Sequence, residues 1–211
     1  MIINISRVHF PVTVLGPGRR LGIWLQGCSI GCEGCVSRDT WDPLGGRQVL
    51  VEELVRESRK LAGETIDGIT ITGGEPFDQP EALAALLVAL TEWRAGAAFD
   101  VLCYSGYPLK QLRQQHGAIL ERLDALIPEP FADRRPTDRA WRGSANQPLV
   151  PLSDRGRARY ADPAAGAPRM QVSVTDNTIW LIGIPKRRDM QAVRDLVSER
   201  GLDLGAVSWN S

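Results

Sequence analysis

Apolar and polar positions alternate along residues 2–14, which predicts a strand ending at the turn Gly16-Pro17-Gly18. Leu21-Gly22-Ile23-Trp24-Leu25 predicts a second strand, delivering the chain into a loop over about 28–47 that closes on Gly45-Gly46. From Val49 to Ala62 the period changes. Val51, Leu54, Val55 and Leu61 recur at helical spacing, with acids early and Arg and Lys late, as a helix dipole favours. A short strand over 68–72 runs into Gly73-Gly74, followed by a helix over 81–94 and a strand over 99–104. A helix over about 108–122 and a strand over 123–127 complete this part. Repeated strand–helix–strand order predicts an α/β fold with parallel core strands, curled by right-handed crossovers into an incomplete TIM-type β/α barrel.

From 128 to 168 the periodicity fails. This stretch holds seven prolines and seven arginines, and a loop of that length is usually functional or disordered. Order returns as a hairpin over 170–174 and 178–184 with Asp176-Asn177 as its turn, then a helix over about 188–200 stopped by Gly201. The apolar side chains Ile179, Leu181, Ile184, Val193, Leu196 and Val197 are expected to be buried there. The whole chain, 1–211, reads as a single domain, with the chemistry-bearing motifs in 1–150 and the hairpin and helix of 169–201 as an extension of it.

Composition narrows the partners. The formal charge is +0 with 24% charged residues, so no long-range field steers the chain towards nucleic acid or anionic lipid. The longest nearly unbroken apolar stretch, 82–90, is too short to span a bilayer. The first residues lack the basic-then-apolar order of a secretory signal, and a cytoplasmic location is expected.

In a reducing compartment four cysteines are not staples, and three of them fall within eight residues. Cys28, Cys32 and Cys35 have the spacing C-x3-C-x2-C, one thiolate short of a closed zinc site or a fully ligated iron–sulfur cluster. A [4Fe–4S] cluster held by three cysteines keeps one iron open; a zinc site is the alternative reading. His9 and His116 are distant, and Cys103, inside an apolar strand, reads as a core residue. Gly73-Gly74-Glu75-Pro76 would on its own be a turn. Tyr104 and Tyr107 read equally as core or as pocket wall, and the arginines of 128–168 as a solvated loop or an anion site.

The cysteine spacing, with Gly73-Gly74-Glu75-Pro76 one helix and one strand later, resembles the radical S-adenosylmethionine (SAM) superfamily. Gly16-Pro17-Gly18-x-Arg20, Thr40-Trp41, Tyr104-Ser105-Gly106-Tyr107 and Trp141-Arg142-Gly143-Ser144-Ala145-Asn146-Gln147 resemble the anaerobic ribonucleotide reductase activating proteins. The resemblance covers about the first 150 residues. It implies a [4Fe–4S] cluster on Cys28, Cys32 and Cys35, reductive cleavage of SAM to a 5′-deoxyadenosyl radical, and hydrogen abstraction from a glycine of a partner enzyme. It also implies a flavodoxin or ferredoxin as electron donor. It puts Gly73, Gly74, Glu75 and Pro76 at SAM, with Tyr104, Ser105, Arg142 and Asn146 as further candidates; the Glu75 acid would suit SAM's ammonium, and Arg142 could fork a carboxylate. No general acid or base is expected. A radical SAM enzyme acting on a peptide or metabolite, and a non-catalytic zinc or iron–sulfur module, are the rival readings. The resemblance departs at Pro128-Glu129, where those proteins carry Asp-Gly.

Overall fold

Strand β2 (Arg20–Leu25) is buried at all of its positions, and the sheet is built outward from it. The computed structural model describes all residues except 64, 96–97, 162–168, 176–177, 187, 202–204, 206 and 208–211. Seven strands form one sheet in the order β3-β1-β2-β4-β5-β6-β7. They are β1 (Ile2–Val12), β2, β3 (Arg47–Leu50), β4 (Gly68–Gly73), β5 (Asp100–Tyr104), β6 (Ala125–Ile127) and β7 (Val150–Pro151). The centre, β2-β4-β5-β6, is parallel, as the alternation of elements predicts. The flanks are antiparallel: β1 on β2, β3 on β1, and β7 on β6.

The sheet is mixed and open, not closed into a barrel. Only three helical crossovers connect parallel strands, through α1 (Val51–Ala62), α2 (Pro80–Arg94) and the pair α3 (Leu109–Gln115) and α4 (Gly117–Leu120). A complete barrel uses eight such units. Other expectations shift locally. Val49 pairs with Ile3 in β3, so the first helix starts at Val51. The helix expected over 108–122 breaks at His116, whose backbone (φ −133°, ψ 30°) is not helical.

The two faces of the sheet have different fates. Leu21, Ile23, Leu25, Ile69, Ile71, Val101 and Cys103 pack with Leu54, Leu83, Leu86 and Leu90 of the helices. Cys103 is therefore a buried core residue, as expected. The opposite face carries no layer of long helices. There Leu102, Ala125 and Ile127 meet Trp141 and Tyr160, and Trp24 meets Val12, Val14, Leu15 and Ile182. The stretch read as aperiodic contributes β7 and α5 (Asp154–Arg159), capped by the Ser153 side chain, which accepts from the Gly156 N–H. Four of the six residues of α5 are charged, so no apolar period announces it.

The extension forms a separate two-stranded sheet, β8 (Met170–Thr175) with β9 (Thr178–Gly183), then α6 (Asp189–Glu199). The Asp176-Asn177 turn lies outside the described residues. The expected burial is not what forms: Ile179 and Leu196 are both 55% exposed and α6 buries no residue. Ile182 is the buried side chain of β9, because strand alternation turns Ile179 and Leu181 to the other face.

At the N-terminal ends of the parallel strands lies a polar core. Arg20 is fully buried and forks Asp100, at 2.9 and 2.8 Å, while its Nε donates to Thr70 at 2.7 Å. Tyr160 donates its hydroxyl to Asp100 at 2.5 Å, and burial raises the pKa of that hydroxyl, keeping it a donor. Removing one member of a buried ion pair strands the other charge. Asp100→Ala should therefore cost about 3–5 kcal/mol of stability in urea denaturation. A loss below about 1 kcal/mol, the range of surface pairs, would show that the pair does not hold this end of the sheet.

Candidate functional site

The site begins where β2 and β4 end side by side. Register places Trp24 beside Thr72 and Leu25 beside Gly73, and the two chains continue in contact beyond the strands. The Gly74 N–H donates to the Leu25 carbonyl and the Glu75 N–H to the Gly27 carbonyl, both at 2.8 Å. Gly73 has φ +103°, and a Cβ on Gly74 would fall on the Gly27 carbonyl oxygen. Here the structure changes the expectation for these glycines. Their missing side chains admit the start of the cysteine loop, not only a ligand.

Glu75 likewise has partners within the protein. Its carboxylate is buried and accepts from the Phe77 N–H (2.9 Å), the Ser105 hydroxyl (2.9 Å) and the Gly106 N–H (2.6 Å). Desolvation pushes its pKa up to about 7. It accepts from three donors of the protein itself and still lines the cavity. Pro76 is buried at the start of a short 3-10 helix, 76–78, and does not line the cavity.

The cysteine loop is stitched down on several sides. Gly27 N–H donates to the Thr40 carbonyl (2.8 Å) and Cys28 N–H to the Trp41 carbonyl (3.1 Å). Asp78, which the motif reading passed over, accepts from the Ser29 N–H (2.7 Å), the Ser29 hydroxyl (2.9 Å) and the Tyr107 hydroxyl (2.8 Å). Gln26 donates to the carbonyls of Asp39 and Asp42, and Gln79 to those of Asn4 and Gln26. Arg7 and Asp39 form a two-bond ion pair at the cavity wall. Among these residues Cys28, Thr40, Trp41 and Tyr107 belong to motifs named above, while Asp78, Gln26, Gln79, Arg7 and Asp39 carry no such cue.

The cavity that these loops enclose has a volume of about 1380 Å³. Cys28, Cys32, Cys35, Gly73, Gly74, Glu75, Tyr104 and Ser105 line it together. Tyr104 is both wall and core: it lines the cavity, and its hydroxyl donates to the Trp141 carbonyl at 2.7 Å. Arg142 and Asn146 do not line the cavity. Asn146 donates to the Pro130 carbonyl at 2.8 Å, and Arg142 Nε reaches its neighbour Ala140's carbonyl at 3.5 Å. Gln147 completes this self-contained loop, accepting from the N–H groups of Gly143 and Ser144 and donating to the Glu129 carbonyl. The motif 141–147 thus shapes the wall beside Phe131, whose backbone hydrogen-bonds Cys32. Glu129 adopts φ +82°, the conformation a glycine takes without strain, and its carboxylate accepts from the Leu109 N–H. Sequence reading also passed over Trp180 and Ile184, which line the cavity from the hairpin.

The donor set fits a cluster. Three half-buried free thiols line one cavity, and the Ser37 N–H reaches Cys35 Sγ at 3.4 Å, as amide donors do around cluster sulfurs. Burial raises the pKa of the Cys28 and Cys32 thiols, against main-chain hydrogen bonds at Gly31 and Ile30 and at Phe131. Among the described residues no three His, Cys, Asp or Glu side chains are close enough to hold a single metal ion. Thiolates at three corners of a cube-shaped cluster stand farther apart than three ligands of one ion.

Three thiols and a glycine-rich strand end, facing one cavity at the C-terminal end of parallel strands, define a radical SAM enzyme. The chain belongs to the 4Fe-4S single cluster domain family, whose model matches residues 14–150. It is 30% identical over 152 residues to the anaerobic ribonucleoside-triphosphate reductase-activating protein of Enterobacteria phage T4, covering 72% of this chain and 96% of that protein. It is 35% identical over 95 residues to the pyruvate formate-lyase-activating enzyme of Clostridium pasteurianum, covering 44% and 40% of the two chains. The crystal structure of QueE from Escherichia coli aligns with 64% of this chain and 74% of that one, at 19% identity and a TM-score of 0.43. The cofactors are a [4Fe–4S] cluster and SAM.

Five single variants separate the cluster ligands from the frame. Cys28→Ala, Cys32→Ala or Cys35→Ala should each abolish the broad visible absorbance of anaerobically reconstituted protein, while Cys103→Ala retains it; its loss with Cys103 would mean a four-cysteine site. Gly74→Ala should also lose most of its iron, because the added methyl group displaces the Gly27 carbonyl beside Cys28. Full iron content in that variant would show the contact to be compliant.

Proposed function

We propose that this chain activates a glycyl-radical enzyme by removing a hydrogen atom from a main-chain glycine of that partner. The observation that carries the reading is the shared cavity, which brings the three thiols and the end of β4 together on the sheet face opposite the helices. Cys28, Cys32 and Cys35 hold three irons and leave the fourth for SAM. With SAM bound, the cluster supplies one-electron reduction and a hydrogen-abstracting radical. The chain's part is to bind, orient and exclude water. With the Glu75 carboxylate occupied, main-chain carbonyls around Gly73 and Gly74 are left to meet the methionyl ammonium of SAM. Tyr104, Trp24 and Ile182 give the cavity an apolar wall that shields a reactive species from water. No side chain is assigned as a general acid or base.

The open sheet then corresponds to an incomplete β/α barrel whose inner face is the cavity side, and 1–211 acts as one domain. The external electron donor is a flavodoxin or ferredoxin in the cytoplasm, where thiolate ligands stay reduced. No helix among the described residues is long and apolar enough to cross a membrane. A second reading, modification of a free peptide, is favoured by the hairpin wall, which lies beyond the matched residues 14–150.

Anaerobic reconstitution followed by a SAM cleavage assay tests the centre. Methionine and 5′-deoxyadenosine should appear with dithionite as reductant. Zinc in place of iron, or intact SAM, would overturn the reading. Addition of an anaerobic ribonucleoside-triphosphate reductase should generate a glycyl-radical signal in electron paramagnetic resonance; SAM cleavage with no such signal would favour the free peptide.

A further inference from the structure

Strand β9 borders the cavity along most of its length. Ile179, Trp180, Leu181, Ile182, Gly183 and Ile184 all line it. Side chains alternate between the faces of a strand, so five consecutive β9 residues, 179–183, with Ile184 just beyond, line one space where it runs along the strand's edge. The other edge is taken by β8, and no further described strand joins this two-stranded sheet. The Ile184 N–H donates to the Arg169 carbonyl at 2.8 Å across the hairpin. Alternation from that pair turns the main-chain groups of Ile182 and Trp180 towards β8 and those of Ile179 and Leu181 away from it. Among the described residues, the cavity side of β9 therefore presents main-chain donors and acceptors without a strand partner, the usual template for strand addition.

This edge is held in place. On one side Gln171 accepts from the Thr13 N–H (2.9 Å) and donates to the Pro11 carbonyl (2.7 Å), and Trp180 stacks on His9 with ring centroids 4.9 Å apart. On the other, Arg169 donates to the carbonyls of Thr137 (3.1 Å) and Arg142 (3.5 Å). The hairpin spans the open face from β1 to the 129–147 loop. The cavity's volume of about 1380 Å³ exceeds the roughly 300–1,000 Å³ of a single small-molecule pocket, leaving room for a peptide segment beside a cofactor.

We propose that the free edge of β9 is a strand-addition site for the partner segment that carries the reacting glycine, which docks as an extended, apolar third strand. The proposal rests on the reading that the substrate is a main-chain glycine. Main-chain pairing suits such a target, because glycine offers no side chain to grip and its reacting carbon is part of the backbone. The apolar character follows from the flanking Ile179, Leu181 and Met190, which also line the cavity. The occupant is a peptide strand because the edge looks into the cavity that holds the cysteines, where its backbone would lie within the chamber of the reaction.

The test uses full-length reconstituted protein without SAM, and the capped pentapeptide acetyl-Val-Val-Gly-Val-Val-amide as probe. Amide hydrogen exchange at Ile179 and Leu181 should slow on the order of tenfold in saturating peptide. Two N-methylated versions, one for each alternate set of amides, should split: one loses the effect and the other keeps it. Unchanged exchange would overturn the proposal. So would equal protection by both methylated peptides, which is apolar adsorption, or slow exchange before any peptide is added, which means that the chain itself fills the edge. SAM cleavage without peptide is measured separately. Cleavage without amide protection sinks the docking edge alone, and protection without cleavage sinks the assigned chemistry alone.

Discussion

The architecture of the site depends on one buried carboxylate. Glu75 gathers the Phe77 N–H, the Ser105 hydroxyl and the Gly106 N–H, while its own N–H holds the Gly27 carbonyl. One residue thus ties together the loops that follow β2, β4 and β5. Burying a carboxylate is unfavourable unless donors enclose it, and the rise of its pKa to about 7 is the trace of that desolvation. The donors come from two segments, its own turn through Phe77 and the loop after β5 through Ser105 and Gly106, so both must be in place for the acid to be satisfied. The cysteine loop itself is nearly free of regular structure, with one 3-10 turn at Arg38–Thr40. Its geometry is borrowed from the ends of the parallel strands through these bonds.

The same logic explains why one end of the sheet binds and the other holds. At the N-terminal ends of the strands, Arg20 and Asp100 are fully paired, with Thr70 and Tyr160 completing the network. The side chains of this network spend their polar atoms on one another and on the Pro17 and Ile69 carbonyls. At the C-terminal ends, main-chain groups and thiols face a cavity instead. The helices cover the far face, so the near face is free to carry the reaction space. An open sheet with helices on one side leaves that face partly uncovered, and Trp141, Tyr160 and the hairpin residue Ile182 cover what the missing barrel strands would.

The parallel core, the cysteine loop, the buried Cys103 and the hairpin were legible because each rests on a local signal: a period, a spacing or an apolar run. The antiparallel flanks were not, since β3 is a four-residue strand with two exposed polar positions and pairs with a strand some forty positions earlier. The contacts that Glu75 and Gly74 make within the protein were not legible for one reason. A motif shows which residue types recur, but whether an acid meets a ligand or three N–H and O–H donors is decided by chain segments that the motif does not contain. The local bonds of Arg142 to the Ala140 carbonyl and of Asn146 to the Pro130 carbonyl were hidden in the same way. Asp78 was invisible because its partners, Ser29 and Tyr107, lie 49 and 29 positions away.

Glu129 shows how a departure from a motif can be absorbed. It sits at φ +82°, in a conformation that costs a side-chain-bearing residue roughly 1 kcal/mol or more. That cost persists because the surroundings over-determine the position. The Glu129 N–H donates to the Tyr107 carbonyl, its own carbonyl accepts from Gln147, and its carboxylate accepts from the Leu109 N–H. Tyr107 belongs to the loop after β5 and Gln147 to the wall loop, so Glu129 couples the two. The acid thus does for the far side of the cavity what Glu75 does for the near side. A glycine at this position would relieve the backbone but could make only the two main-chain bonds. The substitution exchanges conformational ease for a third attachment, in the segment that also carries Phe131 to its contact with Cys32.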